Sequence, residues 1–203
     1  MICKKNIYYL QNNVTFISKV IKYLLEVIMM KKLLVVVDYQ NDFIDGALGF
    51  KGAELLADTI KEKIENYLNN NNDVIFTLDT HSEKYMDTHE GKNLPVIHCV
   101  KGSEGWKVNK KVDYLDKAIK VFEKPTFPSL DLANYLKDSD YEEVELCGLV
   151  SNICVISNAV MVKSALPNAN IFIDAKATDS FDKVLQDKCF DVLEGLHIKV
   201  INR

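Results

Sequence analysis

Glycine, proline and paired cysteines are scarce in this sequence, and their scarcity excludes several classes of protein. Only 8 of the 203 residues are glycine and 4 are proline, which is too few for a collagen-like or low-complexity chain. The 5 cysteines include no CxxC or comparable pair, so a disulfide framework and a cysteine-rich zinc site are both disfavoured. Unpaired cysteines are typical of a reducing compartment, and we therefore expect a cytoplasmic protein.

The sequence also lacks an excess of positive charge and a long apolar run. It has 25 Lys+Arg against 29 Asp+Glu, a formal net charge of −4, and this balance creates no field that would attract nucleic acid or an anionic membrane. No apolar run approaches the roughly 18–20 residues of a membrane span. Apolar residues make up 48% of the chain and charged residues 27%, which is the composition of a globular protein with a sizeable core.

Residues 1–30 differ from residues 31–203, which we expect to form one domain. The apolar residues from Phe16 to Ile28 recur at helical spacing, which allows a short amphipathic helix. Because MKKLLVVVDYQ resembles a natural start, we expect translation to begin at Met29 or Met30, so that the extension is an artefact of the gene model. The alternative is a helix that contacts another copy of the chain or a membrane surface.

Strand and helix patterns alternate through residues 31–203. Short apolar runs, mostly rich in β-branched residues, predict buried strands at Leu33–Val37, Val74–Leu78, Ala118–Phe122, Val144–Gly148, Ile171–Ile173 and Ile198–Ile201. Apolar residues at helical spacing predict helices at Ala53–Leu68, Leu130–Leu136, Ile153–Leu166 and Phe181–Leu196. This alternation predicts a three-layer α/β fold, a doubly wound sheet of about six mostly parallel strands with helices on both faces.

Polar residues follow four of the predicted strands, where ligands bind in open α/β sheets. Asp38 follows the first strand, and Asp79 and His81 follow the second. Glu123 and Lys124 follow the third strand, and the fourth leads through Gly148 to Cys154 at the start of a helix. The long irregular segment 79–112 also favours a functional role, because long structureless loops in compact domains are usually functional.

Cys154 is the candidate nucleophile. A cysteine in the first turn of a helix meets the partial positive charge of unpaired N–H groups, which lowers the pKa of the thiol and favours thiolate. The alternative is a small buried apolar side chain, the commonest role of a free cysteine. Cys147, inside a strand, and Cys189, on the apolar face of a helix, fit that alternative better. Cys99 fits either interpretation.

Acidic and histidine side chains around the segment 79–112 suggest a metal site. Asp79 and His81 project to the same side of an extended segment, because they are two residues apart. With His98 they would form a mixed nitrogen and oxygen site suited to zinc, iron or manganese. The fourth ligand would come from one of three neighbouring residues: Asp87, His89 or Glu90. The alternative is a polar surface loop.

Five segments together resemble the isochorismatase-like cysteine hydrolases, and within them the nicotinamidase and pyrazinamidase type. The segments occur in the order and at the spacing of that family, and the resemblance extends from about residue 31 to residue 201. They are VVDYQNDF (36–43), TLDTH (77–81), PVIHCVKGSEG (95–105), VFEKPTF (121–127) and GLVSNICVISNAV (148–160).

The resemblance implies a role for each matching residue. It makes Asp38, Lys124 and Cys154 a catalytic triad, in which Asp38 takes the thiol proton and the cysteine attacks an amide carbonyl to form a thioester. It makes Asp79, His81, Glu90 and His98 the ligands of one divalent metal ion, with His89 and Asp87 as alternatives to Glu90.

The resemblance also implies the surroundings of the nucleophile. A cis peptide is expected at Val150–Ser151, in a turn whose N–H groups, including that of Cys154, bind the carbonyl oxygen of the substrate. Phe43 matches an aromatic wall of the ring pocket, which Leu94 would complete. The family often has a second aromatic residue near Leu94, and it has aspartate where Asn152 stands here.

The expected activity is therefore hydrolysis of a small-molecule amide, most specifically of nicotinamide to nicotinate and ammonia, as in NAD salvage. The alternative within the same family is another small amide, carbamoyl or ureido compound, and a non-catalytic metal-binding protein is less favoured. Neither nucleic acid nor a membrane is an expected partner, whereas a homo-oligomer is compatible with the sequence.

Overall fold

The computed structural model describes residues 31–203. The expectations for residues 1–30, including the amphipathic helix and the alternative start sites, lie outside the described residues. The described residues form an α/β unit whose strands are joined in one six-stranded sheet, and every strand pair in it is parallel. The predicted fold class is therefore confirmed.

The strands and helices alternate along the chain as the apolar pattern predicts. The strands are β1 (Lys32–Val37), β2 (Asp73–Asp79), β3 (Lys120–Lys124), β4 (Glu143–Leu149), β5 (Asn170–Asp179) and β6 (Lys199–Ile201). The α-helices are α1 (Leu56–Asn69), α2 (His89–Asn93), α3 (Leu130–Leu136), α4 (Ile156–Ala165) and α5 (Lys183–Gly195). The strand order β3-β2-β1-β4-β5-β6 reverses direction between β1 and β4, where doubly wound folds bind their ligands.

Helices cover both faces of the sheet because the central strands are apolar on both sides. Along β1, Leu33, Val35 and Val37 pack into a core cluster with residues of α3, α4 and α5, whereas Leu34 and Val36 pack into a second cluster with residues of α1. Successive side chains of a strand point to opposite faces, so the unbroken apolar run of β1 contributes to both cores.

Two strands, β3 and β5, differ from their predicted bounds by more than one residue at an end. β3 begins and ends two residues later than predicted, so Glu123 and Lys124 are its last residues rather than the residues after it. Pairing with β2 continues to the Asp79–Lys124 pair, and this hydrogen bonding extends the strand beyond its apolar part. β5 continues from the predicted run to Asp179, past an irregularity in its pairing with β4. The second half of β5 contains polar residues, so the apolar pattern of the sequence did not predict that part of the strand.

Short turns precede two of the predicted helices. A 3-10 turn, Ala53–Leu55, precedes α1, and a π-helical turn, Ser151–Val155, precedes α4. The segment predicted to be irregular contains a 3-10 turn, Tyr85–Asp87, followed by α2. Among residues 31–203, none of the helices is both long enough and apolar enough to cross a membrane.

Candidate active site

The predicted polar residues converge at the carboxyl end of the sheet, beside the switch point between β1 and β4. Asp38 directly follows β1, while Asp79 and Lys124 end the neighbouring strands β2 and β3. Cys154 enters from the π-helical turn after β4. Asp38 has a positive φ of 46°, an uncommon conformation for a residue with a side chain, and such conformations cluster at functional sites.

Lys124 contacts both other members of the predicted triad, Asp38 and Cys154, and it also contacts Asp79. Its Nζ lies 2.6 Å from Asp38 Oδ2, 3.3 Å from Asp79 Oδ1 and 3.6 Å from Cys154 Sγ. It also donates a hydrogen bond to the carbonyl oxygen of Thr126, at 3.0 Å. Lys124 is 1% exposed and Asp38 is fully buried. Because the lysine contacts two carboxylates, its buried charge is compensated.

The carboxyl group of Asp38 is placed to act as a base. Its Oδ1 accepts a hydrogen bond from Thr77 Oγ1 at 2.7 Å. Burial raises the pKa of Asp38 above the ordinary aspartate value, while the charge of Lys124 and the hydrogen bonds from Lys124 and Thr77 act to lower it. A carboxylate with a raised pKa accepts a proton more readily than an ordinary one.

The environment of Cys154 differs from the sequence prediction of a lowered pKa. Burial raises the pKa of the Cys154 thiol well above its ordinary value, and the charge of Asp38 raises it further, whereas the charge of Lys124 lowers it. The prediction from helix position was wrong because the side chain is only 5% exposed, and desolvation disfavours the thiolate. The thiol therefore needs a neighbouring base to remove its proton.

The turn before Cys154 contains a cis peptide, one bond earlier than predicted. The cis bond is Leu149–Val150, and the peptide predicted to be cis, Val150–Ser151, is not. β4 stays paired with β5 up to Leu149, so the chain changes direction at the next peptide bond. Val150 lines the cavity beside Cys154, but Ser151 is fully buried and is not among the lining residues.

Four side chains with metal-binding atoms converge next to this triad. They are Asp79, His81, Glu90 and His98, and one ligand atom from each lies within 4.8 Å of the others. Nε2 of His81 lies 3.0 Å from Asp79 Oδ2 and 3.6 Å from Glu90 Oε1. Among the described residues, this cluster includes neither Asp87 nor His89, the two alternatives to Glu90.

The protonation of His98 indicates that this cluster could hold a metal ion. Its Nδ1 lies 2.7 Å from the carbonyl oxygen of Val96, which can only accept, so Nδ1 carries a proton and Nε2 is free to act as a ligand. Nε2 lies 3.2 Å from Asp79 Oδ2. Two electron-pair donors at this separation repel each other unless a proton or a cation lies between them. Two nitrogens and two carboxylates also match the ligand preferences of zinc.

Several residues without a predicted role support the cluster. The ring of Tyr85 packs against both histidine rings, with its centroid 4.5 Å from that of His81 and 4.9 Å from that of His98. Thr126 Oγ1 donates to Glu90 Oε2 at 2.9 Å, and Gln40 hydrogen bonds to the main chain of Asp79. Gln40 lies two residues after Asp38 and therefore close to the end of the first predicted strand. Its position near that strand end is the sequence signal that would have identified Gln40.

An apolar cavity of about 360 Å³ opens beside Cys154. Phe43 and Leu94, the two predicted pocket residues, both line it. Phe43 also packs edge-on against His98, with ring centroids 5.8 Å apart. Three further phenylalanines line the cavity, and sequence reasoning missed all of them as pocket residues: Phe50, Phe127 and Phe181.

The position of Phe181 shows which signal could have identified these rings. It lies two residues after the observed end of β5, so the rule that ligands bind beyond the carboxyl ends of strands would have included it. The rule did not do so because β5 was predicted to end at Ile173.

Comparison with known proteins finds relatives over most of the described residues. A family model described as the isochorismatase domain matches residues 32–202. The isochorismatase family protein PncA of Bacillus subtilis (strain 168) is 30% identical over 150 residues, which cover 64% of this chain and 78% of that protein.

Solved structures share the fold over most of the chain. The crystal structure of nicotinamidase/pyrazinamidase PncA from Bacillus subtilis has a TM-score of 0.74 and 26% identity, covering 84% of this chain and 99% of that one. The pyrazinamidase of Pyrococcus horikoshii, crystallised in complex with zinc, has a TM-score of 0.75 and covers 85% of this chain and 99% of that one. At 21% identity, the second likeness shows the fold alone.

Proposed function

The chain belongs to the isochorismatase family, and we propose that it is a metal-dependent cysteine amidohydrolase that converts nicotinamide and water to nicotinate and ammonia. The observation that carries this proposal is the contact of one buried lysine with both a carboxylate and a thiol at the inner end of an apolar cavity. Lys124 Nζ is 2.6 Å from Asp38 Oδ2 and 3.6 Å from Cys154 Sγ. A stable sheet does not require this combination of buried charges.

The reaction begins with proton transfer from Cys154 to Asp38. The raised pKa of the buried thiol keeps the cysteine protonated at rest, and the raised pKa of Asp38 favours acceptance of its proton. The ammonium group of Lys124 stabilises the thiolate as it forms, because the two groups are in contact within a site of low dielectric. The sulfur then attacks the amide carbonyl carbon and forms a C–S bond.

The carbonyl oxygen becomes negative during this attack and needs hydrogen-bond donors. Main-chain N–H groups in the turn 150–154, including that of Cys154, are the proposed donors, and losing one such donor typically costs about 10²–10³ in rate. Asp38 returns its proton to the departing nitrogen, the C–N bond breaks and ammonia leaves. Water then attacks the thioester, with Asp38 as base, releasing the carboxylic acid and regenerating the Cys154 thiol.

Asp79, His81, Glu90 and His98 are the proposed ligands of a divalent ion, either zinc, iron or manganese. An ion held there would act as a Lewis acid toward the nitrogen of the substrate ring and would help to orient the ring. The histidine ligands are orientated by this chain's own groups, because Val96 accepts the Nδ1 proton of His98 and Tyr85 packs on both rings.

Nicotinamide fits the cavity because its ring would lie against Phe43, close to both Cys154 and the metal ligand His98. A second candidate substrate is a different small amide, carbamoyl or ureido compound. The lining of the cavity favours this second candidate, because it includes Leu94 in the region where nicotinamidases often carry a second aromatic residue. Leucine still offers an apolar wall but no ring for stacking.

The first test is ammonia release from nicotinamide by the purified protein loaded with metal. We expect release by the wild type and none by Cys154→Ala, with Cys147→Ala as the matched control because that buried cysteine is not among the cavity-lining residues. Release of ammonia from another amide but not from nicotinamide would support a cysteine amidohydrolase with a different substrate.

Alkylation distinguishes an enzyme from a non-catalytic metal-binding protein. Cys99, Cys147 and Cys189 are buried and absent from the cavity lining, which includes Cys154. We therefore expect iodoacetamide to modify Cys154 first among these four, and Lys124→Met to slow the modification because the lysine stabilises the thiolate. Equal, slow labelling of all four would contradict an activated nucleophile.

A further inference from the structure

The cavity beside Cys154 changes from buried at its inner end to exposed at its mouth. The inner end is formed by Cys154, Val150 and Phe43, each 5–6% exposed. At the mouth, Phe127 is 38% exposed and Phe181 is 64% exposed. The cavity therefore continues outward from the reacting sulfur along a wall of aromatic side chains.

Two of the rings at the mouth pack against each other. Phe50 and Phe181 meet edge to face, with centroids 6.1 Å apart and an interplanar angle of 74°. They come from different parts of the chain, before α1 and after β5, so their meeting is a tertiary feature and not a consequence of local sequence. Single exposed apolar side chains are common, but a group of phenylalanines around a cavity that contains a nucleophile indicates a binding surface.

The size and charge of the cavity restrict what can occupy this mouth. Its volume of about 360 Å³ falls within the range of roughly 300–1,000 Å³ typical of sites for drug-sized ligands, so a single ring held beside Cys154 would leave the outer part unfilled. None of the described residues that line the cavity is lysine or arginine. An anionic substituent would find no cationic partner there.

We propose that Phe50, Phe127 and Phe181 form an outer aromatic subsite that binds a neutral, apolar substituent on the substrate, so that the preferred substrates are aromatic primary amides larger than nicotinamide. This inference rests on the proposed amide hydrolysis. The subsite acts by binding alone, because its rings line the mouth of the cavity and not its inner end. It therefore lowers KM and leaves kcat nearly unchanged.

The test compares nicotinamide with derivatives that carry a propyl group or a carboxylate on a ring carbon remote from the amide. Equilibrium binding is measured on Cys154→Ala, and turnover on the chain with Cys154 intact. We expect the propyl derivative to bind at least about ten-fold more tightly than nicotinamide, the lower end of what one methylene gains in an apolar pocket, and the carboxylate derivative to bind more weakly. The substitutions Phe181→Ala and Phe50→Ala should remove the gain.

Val184→Ala is the matched control, because Val184 lies on α5 three residues after Phe181, is 67% exposed and does not line the cavity. A gain that persists in both phenylalanine variants, or equal binding of nicotinamide and its propyl derivative, would overturn the subsite even if nicotinamide is hydrolysed. A gain that the variants abolish supports the subsite. If neither amide is then hydrolysed, the hydrolase proposal fails while the subsite stands as a binding site.

Discussion

The side-chain amide of Gln40 hydrogen bonds to both main-chain polar groups of Asp79. Its Nε2 donates to the Asp79 carbonyl oxygen at 2.9 Å, and its Oε1 accepts from the Asp79 N–H at 2.7 Å. Nε2 also donates to the carbonyl oxygen of Trp106 at 2.8 Å. β1 ends at Val37, so Gln40 replaces the strand that would otherwise pair with the last residue of β2. It thereby fixes the main chain that carries a proposed metal ligand.

Replacing Gln40 by leucine should weaken both the fold and the metal site. In this variant the N–H and carbonyl groups of Asp79 and the carbonyl group of Trp106 lose their hydrogen bonds to Gln40. Each buried polar group left without a partner costs about 1–3 kcal/mol. We expect the free energy of unfolding in the presence of a chelator to fall by at least about 2 kcal/mol. Zinc affinity should fall by about ten-fold or more, as for other groups that orient metal ligands.

Urea denaturation and zinc titration against a competing chelator measure the two effects of Gln40→Leu separately. If Gln40→Leu is less stable but binds zinc with wild-type affinity, Gln40 supports the fold and not the metal site.

The hydroxyl of Thr77 should set the acidic limb of the pH–rate profile. Thr77→Val keeps the shape of the side chain but removes the hydrogen bond that lowers the pKa of Asp38. The carboxylate form of Asp38 is then less stable, so its pKa rises further. Since activity requires the carboxylate, the midpoint of the acidic limb of kcat/KM should move to higher pH.

Thr77→Ser provides the control, because it retains a hydroxyl and should keep the wild-type midpoint. If the midpoint of the acidic limb of kcat/KM is unchanged in Thr77→Val, Asp38 is not the base of the free enzyme.

The apolar pattern predicted most of the fold because the strands are buried on both faces. In β1 and β4 the strand ends where the apolar run ends, to within a residue or two, so Asp38 and the turn that holds Cys154 were located correctly. β5 was predicted as three residues rather than ten, because hydrogen bonding to β4 maintains a strand whose side chains are partly polar. Pairing between strands is a tertiary property that a local pattern does not contain.

The site was predictable where chemistry follows a strand end and was missed where contacts are long-range. Asp79 and His81 could be paired from their spacing, and the structure brings them together with His98 and Glu90. Tyr85 and Thr126 carry no local signal, since their roles come from packing and hydrogen bonds to residues distant in the chain. The pKa of Cys154 was predicted in the wrong direction because helix position is visible in the sequence and burial is not.

Thr126 should control metal affinity through Glu90. Its hydroxyl donates to Glu90 Oε2, while its carbonyl oxygen accepts from Lys124. Thr126→Val removes the first contact and keeps the second, so zinc affinity should fall by about 10–100-fold, whereas alkylation of Cys154 should keep its rate. Thr126→Ser should restore the affinity.

His89→Ala is the matched control for this prediction, because His89 is adjacent to Glu90 but outside the four-residue cluster. Loss of zinc in His89→Ala, with retention of zinc in Thr126→Val, would identify His89 rather than Glu90 as the fourth ligand.

Gly148 should tolerate no side chain, because it lies directly against the main chain of Val37 in β1. It pairs with Val37 and has a φ of 109°, which an L-residue with a Cβ adopts only under strain. A Cβ at this position would also overlap the main-chain carbonyl of Val37. We expect Gly148→Ala to lower the free energy of unfolding by about 3 kcal/mol or more, since strained backbone costs about 1–3 kcal/mol before the overlap is counted.

Gly195→Ala is the control for this substitution, because a Cβ there meets no other atom within 4 Å and alanine is the better helix former by about 1 kcal/mol. Urea denaturation should therefore show no loss of stability for Gly195→Ala. Because Val37 directly precedes Asp38 and Gly148 lies shortly before the turn that holds Cys154, any Gly148→Ala protein that folds should also lose hydrolysis. Wild-type stability and turnover in Gly148→Ala would mean that β1 and β4 can separate without disturbing the proposed base and nucleophile.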